Sequence, residues 1–179
     1  MIGWNIFLSV VCVCLANCIN DCGNTRMLVV GVCNPAGEEA GYNGLYLTQD
    51  ELRRVVQQDL MLKLPVKTEH CGSAVGSVIS SFIDQKGQLN CVMELDTNSL
   101  PAHLTGDFIR KGIAADLSLG YTVDIRNHDD KLHAAAKTIL EVSIVRKGAR
   151  SGCHITAYES DKRTVVHKAT DAWSAFNMD

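Results

Sequence analysis

Three polar side chains lie in stretches where an apolar residue would serve a plain protein core better. They are His70 at the end of an extended segment, Ser118 inside one strand pattern, and Glu141 inside another. A hydroxyl becomes a nucleophile when a base takes its proton, and the base needs a third group that orients it and offsets its charge. Ser118, His70 and Glu141 supply these three types. A carboxylate in an apolar strand is costly unless it is paired, so a histidine earlier in the chain is the expected partner of Glu141.

A turn that follows Glu141 offers groups suited to a developing oxyanion. Residues 146–152 include three basic residues and two glycines, a composition typical of a tight turn with exposed backbone N–H groups. The backbone N–H of Ala149 and the guanidinium of Arg150 are candidates for an oxyanion hole. A serine, a histidine and a glutamate occur on strands by chance in a chain this long, so spacing alone assigns no function.

The third catalytic position has alternatives. His128, His133 and His154 are each able to fill it in place of Glu141, and His154 is the best substitute because it follows Cys153 at the start of a strand. These alternatives stay open on the residues alone.

Hydrophobic periodicity predicts the elements that must position these residues. Glu141 and Ser143 alternate with apolar residues and so share one face of a strand. Helix start signals occur at Thr48, which forms a capping box with Glu51, and at Ser99. The predicted strands cover 27–33, 74–84, 88–95, 114–124 and a strand–turn–strand unit over 138–158, preceded by a strand from about residue 132. A last helix is predicted over Asp161–Phe176, as cover for the core or, alternatively, as a homodimer surface.

Composition describes one soluble globular domain. The chain has 179 residues, 46% of them hydrophobic, and a formal net charge of −3, which gives no basic excess for nucleic acid. Its eight cysteines include no CxxC pair, so no zinc site is predicted. Reduced, mostly buried thiols are expected, with no metal and no cofactor.

The N-terminal segment has two interpretations. Ile2–Leu15 is apolar but shorter than the ~20 residues that a membrane span needs. It is similar to the core of a signal peptide, yet no Lys or Arg precedes it, and the alternative is an upstream extension outside the fold. Since Met27 begins the first convincing strand, we divide the chain into a leader, 1–26, and a domain, 27–179.

Four ordered segments resemble the herpesvirus capsid maturation proteinase, assemblin. They are Leu45–Thr48, which opens a helix, Leu64–His70 with Ala74–Gly76, Leu117–Leu119, and Glu141–Gly152 with Ala157 and Tyr158. The second, third and fourth resemble the blocks that carry assemblin's catalytic histidine, its nucleophile, and its third triad member with the oxyanion turn. The resemblance covers residues 27–158.

Departures from assemblin are informative. The third member is a histidine in assemblin, and that position is Glu141 here. Phage prohead proteases use Ser, His and Glu, and Ser118–Tyr121 is similar to their nucleophile block. Assemblin has a second serine where this chain has Gly120, and a further arginine where it has Ala149.

The resemblance implies an α+β, mainly β fold: a closed antiparallel β-barrel of about seven strands surrounded by a few helices. It implies that Ser118 attacks the scissile carbonyl, that His70 is general base and then general acid, and that Glu141 orients His70. The Ala149 N–H would bind the oxyanion with help from Arg150.

The implied activity is that of a viral serine endopeptidase. Its substrates would be a capsid scaffold or assembly protein and its own precursor, in the host nucleus or the assembling capsid, with a homodimer as a further expectation and no nucleic-acid or membrane partner. One alternative is a non-catalytic capsid scaffold domain derived from such a protease. The other is a secreted cysteine-bearing binding protein, which paired cysteines would favour.

Overall fold

The computed structural model describes residues 26–37, 46–123, 137–160 and 163–166. Eight strands and two helices occur in these ranges. The strands are β1 (Arg26–Asn34), β2 (Pro65–Thr68), β3 (Cys71–Ile83), β4 (Leu89–Asp96), β5 (Asp116–Val123), β6 (Lys137–Val145), β7 (Ile155–Ser160) and β8 (Arg163–Val166). The helices are α1 (Gln49–Gln57) and α2 (Leu100–Arg110).

The strands form one mixed sheet that curls into a half-barrel, in the order β5-β6-β2-β3-β4-β1-β7-β8. Six of its neighbouring pairs are antiparallel. The remaining pair, β2 with β6, is parallel, with Val66 opposite Val142 and Thr68 opposite Ile144. This pairing places the turn after β2 beside the second half of β6.

The expectation of a closed antiparallel barrel is therefore wrong on two counts. The β2–β6 pairing is parallel, and no continuous ladder joins β5 to the far side of the sheet among the described strands. β5 meets the chain before β7 only at an isolated bridge between Asp116 and His154. The physical reason is that β7 pairs with β1 on one edge and, over residues 157–160, with β8 on the other. Its contact with the chain before β5 is therefore confined to its first residue, Ile155, whose N–H donates to the Ala115 carbonyl oxygen at 2.8 Å.

The predicted helix over Asp161–Phe176 is also corrected in part. Residues 163–166 form strand β8, which pairs antiparallel with β7. Thr164, Val165 and Val166 are β-branched, and such residues favour strands. Residues 161–162 and 167–179 lie outside the described part of the chain, as does the segment 124–136 before β6.

Both helices begin where capping chemistry predicts. Thr48 Oγ1 accepts a hydrogen bond from the Glu51 backbone N–H at 3.2 Å, and a Glu51 carboxylate oxygen accepts one from the Thr48 N–H at 2.7 Å. Ser99 Oγ accepts from the Ala102 N–H at 3.3 Å. None of the described helices is long and apolar enough to cross a membrane.

The core lies inside the curved sheet and fixes the strands that carry the candidate site. Val66 of β2, Leu117 of β5, and Val142 and Ile144 of β6 are fully buried. Since side chains alternate along a strand, burial of these residues turns their neighbours Lys67, Ser118, Glu141 and Ser143 to the opposite face.

Candidate active site

A row of polar side chains crosses three neighbouring strands. Ser118 on β5 lies opposite Ser143 on β6, and Ser143 lies opposite Lys67 on β2. Residues opposite one another in a sheet share a face, with Cβ atoms about 5 Å apart. Glu141 stands two positions before Ser143 on β6 and therefore shares that face. Lys67, Ser118, Glu141 and Ser143 therefore lie on one face of the sheet.

His70 lies in the two-residue turn that joins β2 to β3. Thr68 and Cys71 pair across the hairpin, and the two residues between them, Glu69 and His70, have φ values of 51° and 57°. Two positive φ values in succession are typical of a type I′ turn, which favours Asn and Gly. For other residues this conformation costs roughly 1–2 kcal/mol each.

Contacts with β6 hold this strained turn in place. The His70 backbone N–H donates to Ser143 Oγ at 3.2 Å. A Glu69 carboxylate oxygen accepts hydrogen bonds from the Arg146 backbone N–H at 2.9 Å and from its Nε at 3.1 Å. The strain is thus localised at the residue whose ring reaches the site, a distribution common at functional sites.

The Glu141 carboxylate receives three hydrogen-bond donors on its two oxygens. His70 Nδ1 lies 2.7 Å from Oε1, and Ser143 Oγ donates to the same oxygen at 3.1 Å. Lys67 Nζ lies 2.8 Å from Oε2. Since an ionised carboxylate only accepts hydrogen bonds, His70 Nδ1 carries the hydrogen and Nε2 is the ring nitrogen left free to accept a proton.

Burial of Glu141 favours its neutral form. The hydrogen bonds from Lys67, His70 and Ser143 outweigh that effect, and they hold the pKa of Glu141 below its ordinary value. The carboxylate is therefore ionised at neutral pH beside the His70 ring, the arrangement that stabilises a protonated imidazole during proton transfer.

Gly120 leaves the space that the Glu141 side chain occupies. The two residues are opposite one another on β5 and β6. A Cβ atom added at Gly120 would lie 2.6 Å from Glu141 Cγ and 2.9 Å from Oε1. Because these separations are far below ordinary contact, a side chain at position 120 and the present position of Glu141 exclude each other.

The turn after β6 packs against β5 immediately before Ser118. The Gly148 N–H donates to an Asp116 carboxylate oxygen at 2.9 Å, and a Cβ atom at Gly148 would lie 2.9 Å from the Leu117 carbonyl oxygen. Ala149 and Arg150, the residues predicted to bind an oxyanion, follow directly and are half-buried.

The Arg150 guanidinium is held by two partners in separate parts of the chain. Nη1 donates to the Asn34 side-chain oxygen at the end of β1. Nη2 donates to the Tyr121 hydroxyl at 3.4 Å. Fixed donors of this kind lose less entropy when a charged group arrives than a mobile side chain would.

The structure thus brings His70 and Glu141 into direct contact and places Ser118 one strand away. Within the described residues, no hydrogen bond joins Ser118 Oγ to His70, and Ser118 is 7% exposed. Catalytic hydrogen bonds are often long or poorly aligned before substrate binds, so the lack of this bond is compatible with a nucleophile and its base.

The histidines that were alternatives for the third position do not enter this cluster where they are described. His154 Nδ1 lies 2.8 Å from the Gly152 carbonyl oxygen, and His154 Nε2 has no hydrogen-bond partner within the described residues. His128 and His133 lie outside the described part of the chain.

Sequence reasoning missed the roles of Lys67 and Ser143 as Glu141 partners. Ser143 was predicted to share a face with Glu141, and that alternation was a usable signal. Lys67 had none, because its approach to Glu141 depends on the parallel β2–β6 register, which no local pattern reveals.

The four described cysteines are free thiols, and no cluster of metal-binding side chains occurs among the described residues. Cys33, Cys91 and Cys153 are buried, whereas Cys71 is exposed. Burial raises the pKa of Cys153 to about 12. Burial, with Cys91 alongside, also raises the pKa of Cys33 well above its ordinary value. Such thiols are poor nucleophiles.

Comparison with known proteins defines the fold as assemblin-like. Neither a protein-family model nor a curated protein sequence matches the chain. Among solved structures, the chain is similar to the KSHV protease in complex with a hexapeptide phosphonate inhibitor, with a TM-score of 0.52 and 19% sequence identity. The alignment covers 76% of this chain and 66% of the KSHV protease chain. At this identity the likeness establishes the fold.

Proposed function

We propose that this protein is a serine endopeptidase with Ser118 as nucleophile, His70 as general base and Glu141 as third member of the triad. The observation that carries the proposal is the 2.7 Å contact between His70 Nδ1 and Glu141 Oε1, on the face of the sheet that also carries Ser118. The assemblin-like fold supports the class, since the KSHV protease is one of the structures that match.

The proposed mechanism uses His70 Nε2, the ring nitrogen that does not contact Glu141. His70 Nε2 takes the Ser118 proton as Oγ attacks the scissile carbonyl, and it then gives that proton to the leaving amine. Glu141 stabilises the positive imidazole between these steps. The Ala149 N–H and the Arg150 guanidinium stabilise the oxyanion that forms on the carbonyl oxygen, next to the start of β5.

The proposed biological role rests on the family resemblance. The substrates would be a capsid scaffold or assembly protein and the precursor of this chain. The enzyme would act in the host nucleus or in the assembling capsid, and it would form a homodimer. A longer precursor that cleaves itself would support this role, and cleavage that requires a second protease would count against it.

A fluorophosphonate probe tests the chemistry without knowledge of the cleavage site. Ser118 Oγ would attack phosphorus, fluoride would leave, and His70 would take the hydroxyl proton. Intact mass and peptide mapping should locate one label on Ser118. Ser118→Ala should abolish labelling, as loss of a nucleophile costs on the order of 10⁶ in kcat. Ser81→Ala, on β3, is the matched control and should label normally.

The second candidate is a non-catalytic capsid scaffold or assembly domain. It is favoured by the lack of a Ser118–His70 hydrogen bond in the described residues and by the burial of Ser118. Absence of labelling on Ser118 in a folded protein, at every pH between 5 and 9, would favour this candidate.

A further inference from the structure

Lys67 makes a contact that neither the triad nor the family resemblance assigns. Its Nζ lies 2.8 Å from Glu141 Oε2, the carboxylate oxygen that His70 does not use. The Lys67 and Glu141 side chains are 31% and 9% exposed, so the pair is largely shielded from water. Ion pairs in such surroundings are screened much less than those on the surface.

We propose that Lys67 is a positioning residue, which keeps Glu141 ionised and aimed at His70 and so sustains activity at acid pH. The effect of Lys67 on activity rests on the proposed function. Control of the His70–Glu141 contact by Lys67 holds independently of catalysis.

Geometry is the first support for this role. His70 and Ser143 both bind Oε1, so without Lys67 the carboxylate is free to rotate about that oxygen. Lys67 fixes the second oxygen, with its Nζ 2.8 Å from Oε2. The Lys67 backbone is itself fixed, because residue 67 lies opposite Ser143 in the parallel β2–β6 register.

Burial is the second support. A buried carboxylate oxygen without a partner costs about 1–3 kcal/mol or more. Replacement of Lys67 would leave Oε2 without the partner that it has in the structure. The titratable groups that face the Glu141 carboxylate within the described residues are Lys67 and His70, and opposite Glu141 strand β5 presents only Gly120. Lys67 is therefore the cation that keeps the site ionised when His70 is neutral.

The pH consequence has a definite sign. The pKa of Glu141 is raised by burial and lowered to a greater extent by hydrogen bonds, of which that from Lys67 is the largest. Without Lys67 the carboxylate protonates at a higher pH than in the native protein. A protonated Glu141 is neutral and no longer offsets the positive charge of the His70 imidazole, so activity is reduced most at acid pH.

The experiment compares Lys67→Met, Lys67→Arg and the control Lys111→Met in the full chain. Lys111 is an exposed lysine at the end of α2, and among the described residues it has no hydrogen bond or ion pair with Glu141, His70 or Ser143. The first readout is the rate of fluorophosphonate labelling between pH 5 and 9. The second is the low-field proton resonance of the His70 Nδ1–H, followed over the same range by NMR, which needs no activity.

Lys67→Met should label within about threefold of the native protein at pH 8, and its rate relative to the native protein should fall progressively towards pH 5, by up to about tenfold, since loss of an opposite charge at this range raises the pKa of a carboxyl by about 1–3 units. The His70 Nδ1–H resonance should disappear at a higher pH than in the native protein. Lys67→Arg should restore both properties substantially, and Lys111→Met should match the native protein. If Lys67→Met does not fold by circular dichroism, Lys67→Gln is measured instead.

Two results would overturn the inference: a Lys67→Met profile that follows the native one in both readouts, or an equal loss at every pH that Lys67→Arg does not restore. A native protein that never labels, but whose Nδ1–H resonance depends on Lys67 as described, would refute the proposed protease while supporting the positioning role. The two failures are therefore distinguishable.

Discussion

Gly120→Ala tests whether the space above β5 is needed for the His70–Glu141 contact. The added Cβ would lie 2.6 Å from Glu141 Cγ, whereas ordinary carbon contacts are about 3.5–4.0 Å. Glu141 must therefore retreat by about 1 Å. A displacement of that size stretches the 2.7 Å hydrogen bond to His70 Nδ1 to the edge of hydrogen-bonding range.

The expected loss of activity follows from that displacement. Misplacement of a catalytic group by about 1 Å costs about 10²-fold in rate, so we expect Ser118 labelling by the fluorophosphonate to slow by about 10- to 100-fold. The free energy of unfolding, measured with urea, should fall by about 1–3 kcal/mol because a buried carboxylate loses partners. The φ of Gly120 lies outside the left-handed region, so the backbone itself tolerates alanine.

The control for this prediction is the Glu141→Ala background. Removing the Glu141 side chain also removes the atoms with which a Cβ at position 120 collides, so Gly120→Ala should have little further effect there. The two substitutions are then strongly non-additive, as expected for residues in direct contact. The reasoning is refuted if Gly120→Ala labels at the native rate, or if the same loss appears in both backgrounds.

Three further predictions concern the same cluster. Glu141→Gln should reduce the rate of fluorophosphonate labelling by about 10²- to 10⁴-fold, and His154→Ala should label within about threefold of the native rate. The reverse result would exclude Glu141 from the triad. The difference in unfolding free energy between the native protein and Glu141→Gln should be constant near neutral pH and shrink below about pH 4.3. The reason is that the low pKa of Glu141 stabilises the fold only while the carboxylate is ionised. Urea unfolding at several pH values tests this, and a difference that persists unchanged to pH 2 would contradict it. Glu69→Asn should raise the free energy of unfolding by up to about 1 kcal/mol, since the relief of a positive φ is worth about 1–2 kcal/mol and exceeds the loss of the exposed hydrogen bonds from the Arg146 backbone N–H and Nε, which are worth about 0–1 kcal/mol. Glu94→Asn is the control, and a destabilised Glu69→Asn protein would contradict the turn assignment.

Features set by local chemistry were predictable from the sequence. The capping box at Thr48 and the Ser99 cap depend on neighbours within three positions and occur as predicted. The β3–β4 hairpin and the shared face of Glu141 and Ser143 depend on alternation over a few residues.

Features set by distant contacts were not predictable. The parallel β2–β6 pairing has no local signature, so neither the mixed sheet nor the approach of Lys67 to Glu141 was foreseen. Periodicity also gives no reliable guide at α2, where the large apolar residues Leu104 and Phe108 are 44% and 39% exposed. The helix packs through Ala102, Thr105, Gly106 and Ile109, because small residues allow it to approach the sheet closely.

At the candidate site, the sequence supplied residue types and the structure supplies their arrangement. The glycine at position 120, where assemblin has a serine, was visible in the sequence but unexplained. The structure connects Gly120 to Glu141, since a side chain at position 120 would occupy the position of the Glu141 carboxylate. The roles of Ser118, His70, Glu141, Ala149 and Arg150 stay predictions until the labelling experiments are done.

The parallel β2–β6 pairing also has a consequence for the order of events during synthesis. It joins parts of the chain that are far apart, since His70 and Glu141 are separated by 71 positions. The β3–β4 hairpin can close early on the ribosome, whereas distant pairings close slowly. A nascent chain that ends before β6 already contains His70 and Ser118 but has no partner for the imidazole. The His70–Glu141 contact is thus formed only after β6 has been translated, so the proposed cleavage would have to wait until the chain's own sheet is assembled.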